Sequence, residues 1–107
     1  MEKVISFEAI GQFLVDILEK AGIPHEDAVI VADVLSHADK FGFDSHGVNR
    51  LKTIYLDRIN QGILNPVTKI ELVREGPTTA VVDGHNGMGQ VIASYSMKLA
   101  IEKAKKF

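Results

Sequence analysis

Asp44-Ser45-His46-Gly47-Val48-Asn49-Arg50 is the grouping in this chain with the most chemical capacity. An imidazole such as that of His46 exchanges a proton near neutral pH. A guanidinium such as that of Arg50 grips a carboxylate through two parallel hydrogen bonds. If the segment is helical, a spacing of four residues puts both groups on one face. Ser45 stands where a helix N-cap belongs, its hydroxyl free to accept a backbone N–H from the first turn. The positive end of that helix favours the same anion. The set suits a small substrate that carries a carboxylate beside a group that gains or loses a proton. The competing reading is a solvated helix face, where His and Arg recur without any chemical role.

Three helices are expected to position the motif. Ser6 is the N-cap of the first, with Glu8 complementing its dipole. Phe7, Ile10, Phe13, Leu14, Ile17, Leu18 and Ala21 recur at spacings of three and four and make one apolar stripe. Gly22 is the expected terminating residue, and Pro24 blocks continuation. The second helix opens at Glu26 and Asp27, ends at Gly42, and shows a narrow stripe of Ala28, Val31, Ala32, Leu35 and Ala38. On it Asp33 and His37 are spaced as metal ligands can be, but no third partner is evident, so a surface ion pair is expected. The third helix should run from the Ser45 cap to about Gln61, burying Val48, Leu51, Ile54, Tyr55 and Ile59 and exposing Lys52, Asp57 and Arg58. Gly62 ends it, and Asn65-Pro66 marks a turn.

The pattern then changes. Thr68–Val73 alternates and Thr78–Asp83 is β-branched, with Glu75-Gly76-Pro77 between them, so an antiparallel hairpin is expected, its second strand the more buried. A lone two-stranded hairpin is marginal in water, and its edge invites a further strand. A last helix should run from Gly89 to about Lys105, its final lysines set against the carbonyl end of the dipole. Gly84, Gly87 and Gly89 read G-x-x-G-x-G, which is not the dinucleotide fingerprint, and no acidic residue stands about 20 positions on. These glycines are therefore expected to supply positive φ in a strand-to-helix turn.

Composition narrows the classes further. The 107 residues are 46% hydrophobic and 24% charged, the balance of an ordinary globular domain. A net charge of −2, with only Lys103, Lys105 and Lys106 making a basic end, argues against nucleic-acid binding. A helix-turn-helix reading fails on the same ground, for want of a basic recognition helix. With no cysteine, disulfides and thiolate metal sites are excluded. No apolar run approaches the roughly 20 residues of a membrane helix, and the start lacks a signal-peptide core, which predicts a cytoplasmic chain.

The run Asp44-Ser45-His46-Gly47-Val48-Asn49-Arg50-Leu51, followed by an aromatic residue, Asp57-Arg58-Ile59 and Gly62-Ile63-Leu64-Asn65-Pro66, resembles the malate/L-lactate dehydrogenase-like family of oxidoreductases. The stretch after Asp83-Gly84 is similar too. That family includes malate, ureidoglycolate and sulfolactate dehydrogenases and reductases of keto acids and cyclic imino acids, with a fold unrelated to the ordinary lactate and malate dehydrogenases. The resemblance implies that His46 is the proton donor or acceptor at the substrate carbonyl or imine, that Ser45 orients and relays, and that Arg50 binds the substrate carboxylate. Family members often place an aromatic substrate contact four residues after the arginine. Ile54 holds that place here and Tyr55 follows it, which makes Tyr55 the candidate. NAD or NADP and a homodimer are implied, with no cofactor contact assigned to any residue of this chain.

Family enzymes are far longer, so the resemblance implies an N-terminal third. The expected architecture is α+β: a helical domain over residues 1–66 carrying the Ser-His-Gly-x-x-Arg motif, then a hairpin and long helix over 67–107 that begin a non-Rossmann cofactor-binding domain. The implied function is that of an NAD(P)-dependent oxidoreductase interconverting a small 2-hydroxy acid and its 2-keto acid, with the 107-residue chain inactive alone. The alternative is a nonenzymatic helical binding or interaction module that keeps the carboxylate pocket.

Overall fold

The computed structural model describes residues 3–107 and has the expected α+β make-up. Helix α1 spans Phe7–Lys20 and α2 spans His25–Lys40. Ser6 caps α1 as its position suggests, accepting the Ala9 N–H at 3.1 Å. Gly22, Gly42 and Gly62 all adopt positive φ just past a helix end. At each of them the glycine N–H and the next N–H return to helix carbonyls: Glu19 and Leu18, Asp39 and Ala38, Ile59 and Arg58. This double return satisfies carbonyls that a helix end leaves unpaired, and only glycine takes the required conformation without strain.

Leu14 and Leu18 of α1 meet Ala28, Val31, Ala32 and Leu35 of α2, and Ile23 between the helices closes the same cluster. The α2 stripe is core from Ala28 to Leu35, but of the α1 stripe only Leu14 and Leu18 are fully buried, and Phe7 and Phe13 are exposed. Leu51, Met88 and Val91 complete it from later in the chain.

The third helix differs from expectation. Residues Asp44–His46 and Val48–Arg50 form two short 3₁₀ turns, Leu51–Leu56 is π-helical, and only Asp57–Asn60 (α3) is α-helical. Gly47, at φ −98° and ψ −141°, is extended and separates the two turns. Ser45 therefore caps no helix. The i, i+4 argument for His46 and Arg50 lapses with it, because an extended residue between them resets the helical phase.

Strands β1 (Glu71–Glu75) and β2 (Ala80–Asp83) form the expected antiparallel hairpin, shorter than the alternation suggested. Leu72 pairs with Val82 and Arg74 with Val81, so Val73 is an extra residue in a bulge. Residues before β1 leave the ladder because their polar groups serve the loop after β2. Asn65 N–H donates to the Asn86 carbonyl at 2.8 Å, and Thr68 Oγ1 accepts from Met88 N–H at 2.8 Å. The second strand is the more buried, as expected.

Helix α4 (Gly89–Lys106) packs on α2 at its start and reaches the hairpin near its end. Lys103 Nζ donates to Glu75 Oε1 at 2.8 Å and to the Gly76 carbonyl at 2.7 Å, so this lysine ties down the hairpin turn instead of facing its own helix end.

The chain is elongated, 53 × 31 × 22 Å, with a radius of gyration of 15.5 Å. A compact domain of this length would have about 13 Å. On the hairpin and α4, Val73, Val81, Tyr95, Met97 and Ile101 are exposed. Apolar side chains beside an open strand edge favour association. We expect light scattering at rising concentration to give masses above the 11.7 kDa monomer. The protein should bind an apolar-surface dye, and Val73→Lys with Met97→Glu should reduce both signals. A strictly monomeric mass without dye binding would show that this face is closed.

Candidate active site

The motif loop returns to α2 immediately after leaving it. Phe43 N–H closes the helix end on the Ala38 carbonyl at 2.8 Å, and His46 N–H then closes the first turn on the Phe43 carbonyl at 3.0 Å. Beyond Gly47, Val48 N–H donates to Asp39 Oδ2 at 2.9 Å, and Arg50 N–H to the Gly47 carbonyl at 3.0 Å. Leu51, only 8% exposed, then drives the chain into the core. The loop is held at both ends, by a buried leucine and by a carboxylate of α2.

This path joins the three motif residues. Ser45 Oγ lies 2.7 Å from His46 Nδ1, and Arg50 Nε donates to the Ser45 carbonyl. The serine contact occupies Nδ1, and the other ring nitrogen, Nε2, is the one that could exchange a proton with a solute. The Arg50 contact uses Nε and leaves the two terminal nitrogens for a carboxylate. Ser45 and His46 are exposed and Arg50 is half-buried, which suits a site open to a small solute. The grouping can hold an anion and move a proton at an adjacent atom.

Residues 5–107 match the malate/L-lactate dehydrogenase family. The chain belongs to that family. It is 55% identical over 98 residues to the malate dehydrogenase of Pyrococcus horikoshii, covering 92% of this chain and 27% of that protein. It is 47% identical over 94 residues to the L-sulfolactate dehydrogenase of Methanocaldococcus jannaschii, covering 88% and 27%. The crystal structure of malate dehydrogenase from Entamoeba histolytica overlays with a TM-score of 0.96 at 46% identity, covering 100% of this chain and 30% of that one. The chain therefore spans under a third of the length of these relatives. Membership makes it a dehydrogenase-family chain. No helix among the described residues is long and apolar enough to cross a membrane.

Tyr55 contacts α4. Its hydroxyl accepts a hydrogen bond from Gln90 Nε2 at 2.6 Å, at the start of α4. Both side chains line an open groove of about 810 Å³ with Val34, Arg58, Met97 and Lys98, and Ser45, His46 and Arg50 are not among its lining residues. The tyrosine links the π-helical stretch to α4.

The glycine-rich loop is also built differently from expectation. Positive φ falls on His85 (50°) and Asn86 (57°), and on none of Gly84, Gly87 and Gly89. Asn and His tolerate that region better than most residues. A Cβ at Gly84 would overlap the Ile92 side chain, and one at Gly87 would overlap Thr68. The space beside these two glycines is filled by the protein itself, so they form no cradle for a pyrophosphate. His85 is pinned instead, with Nε2 2.9 Å from Glu71 Oε1 and its N–H donating to Asp83 Oδ1 at 2.9 Å. Sequence reading missed this cluster because Glu71 and Asp83 meet only through strand register. At the Asp33–His37 pair, His37 Nδ1 lies 3.3 Å from Asp33 Oδ1 and 2.8 Å from the Asp33 carbonyl, and no third ligand group joins them among the described residues.

Tyr55→Phe removes the partner of Gln90 Nε2 in a part-buried contact. It should lower stability by about 1–2 kcal/mol in chemical denaturation. An unchanged midpoint would show that this hydroxyl does not hold α4.

Proposed function

We propose that this chain is the N-terminal, substrate-gripping part of an NAD(P)-dependent oxidoreductase that interconverts a small 2-hydroxy acid and its 2-keto acid. His46 is the proton donor or acceptor at the substrate oxygen, Ser45 orients and relays, and Arg50 binds the carboxylate. The observation that carries this reading is the linked set Ser45 Oγ–His46 Nδ1 and Arg50 Nε–Ser45 carbonyl, in a chain of this family. The serine contact keeps the imidazole in one orientation, and the backbone contact keeps the guanidinium within reach of the same solute. A nicotinamide carrier, NAD or NADP, would accept or supply the hydride in such a reaction. This chain's residues supply the proton and the grip on the carboxylate, and no cofactor contact is assigned to them.

Residues 1–66 form the substrate-gripping domain on this reading, and 67–107 begin the cofactor-binding one. A cytoplasmic homodimer fits the same reading. Tyr55, whose hydroxyl accepts from Gln90, is the aromatic substrate contact on this reading. A second reading, a nonenzymatic carboxylate-binding or interaction module, draws on the apolar faces that the hairpin and α4 leave open.

The 107-residue chain should reduce neither NAD nor NADP with any hydroxy acid, yet L-malate should shift the His46 and Arg50 side-chain NMR signals. Joined to the remaining two-thirds of the Pyrococcus horikoshii relative, it should turn over. There His46→Ala should lower kcat by about 10²–10⁴-fold, and Arg50→Lys should chiefly raise KM, by about tenfold. A joined protein whose kcat is unaffected by His46→Ala would refute the assignment. Malate binding without turnover in the joined protein would favour the second reading.

A further inference from the structure

We infer that Asp39, in the last turn of α2, is a positioning residue whose carboxylate places His46 and Arg50 by holding the backbone of Gly47 and Val48. The geometry stands alone; its consequence for ligand binding rests on the carboxylate-gripping reading above.

Three observations converge on Asp39. Its Oδ2 accepts the Val48 N–H at 2.9 Å, a part-buried contact across nine residues of chain. A hydrogen bond to an ionised acceptor is stronger than one between neutral groups. Its backbone carbonyl accepts the Gly42 N–H at 3.0 Å, which closes the end of α2. One residue thus fixes both where the chain leaves the helix and where it comes back. Val48 stands two residues after His46 and two before Arg50, so fixing its amide constrains both.

The third observation explains the glycine. Gly47, at φ −98° and ψ −141°, does not use the positive-φ conformation that glycine adopts freely. Its missing side chain matters for space, since a Cβ on Gly47 would overlap the Asp39 carboxylate. The motif's glycine and the α2 aspartate are two halves of one contact. Without a side chain at residue 47, the carboxylate can approach the loop closely enough to reach Val48.

The test uses the ¹⁵N-labelled 107-residue chain and the variants Asp39→Ala, Asp39→Asn, Gly47→Ala and the double Asp39→Ala/Gly47→Ala. Asp39→Ala should raise Val48 amide exchange by at least about tenfold and shift the His46 ring and Arg50 Nε–H signals. The Leu14 and Val31 amides in the core should stay within about twofold. Asp39→Asn, which keeps an acceptor oxygen, should restore Val48 protection to within about threefold of the parent. Gly47→Ala alone should reproduce the disturbance, yet added to Asp39→Ala it should change Val48 exchange by less than about twofold, because the obstructing carboxylate is gone.

Unchanged Val48 exchange in Asp39→Ala overturns the inference. So do unmoved His46 and Arg50 signals despite faster exchange, and so does a Gly47→Ala effect equally large with and without Asp39. If Asp39→Ala also loses the core signals, Gly47→Ala decides alone, and unchanged Val48 exchange in it overturns the inference. L-malate titration separates the two readings. A parent chain that binds no malate while the exchange results hold defeats the carboxylate reading and leaves the role of Asp39 supported.

Discussion

Ala28 and Ala32 lie inside the core at 0% and 3% exposure, and the close helix approach that such small side chains permit makes α2 the hub of the chain. Leu14 and Leu18 of α1 belong to the same cluster as these alanines, as do Met88 and Val91 at the start of α4. The last turn of α2 holds the returning motif loop through Asp39. Burial near 25 cal/mol per Å² makes such a cluster the main source of stability. Loops whose backbone is tied to it inherit its rigidity. The motif loop gains a fixed shape this way although it has almost no regular secondary structure of its own.

The two halves of the molecule differ in where their fully buried residues lie. α1, α2 and the stretch up to Leu51 close around one cluster, whereas every residue of β1 is exposed and α4 buries only Val91. The hairpin is held to the rest by polar contacts, Lys103 to the turn and Asn65 and Thr68 to the loop before α4. The solved relatives carry the same fold as under a third of a longer chain. A two-stranded sheet is marginal alone, and Val73, Val81 and Met97 of that half are exposed.

Much of this was legible in local sequence because local rules decide it. Ser6 as a cap, three glycines past three helix ends, the stripes of α1 and α2 and a hairpin with the more buried strand second all depend on neighbours within a turn or two. The family and the candidate site residues were legible as a motif. What failed was the third helix, where period and capping pointed to one α-helix from Ser45. No local rule reports that a carboxylate nine residues back captures the Val48 amide and needs an empty position at Gly47 to do so.

The glycine-rich loop shows the same division. That a turn lies between Asp83 and Gly89 was evident from composition, but which residues take positive φ was not. Ile92 and Thr68 fill the spaces beside Gly84 and Gly87, so those glycines serve close packing, and the left-handed positions pass to His85 and Asn86. The sequence by itself determined the three glycine-terminated helix ends, the buried residues of α1 and α2, the family and the presence of an imidazole and a guanidinium near one another. Only the tertiary structure decided that Asp39 holds the loop carrying Ser45, His46 and Arg50 and that Tyr55 turns to Gln90, because those two contacts depend on where separate segments are brought together.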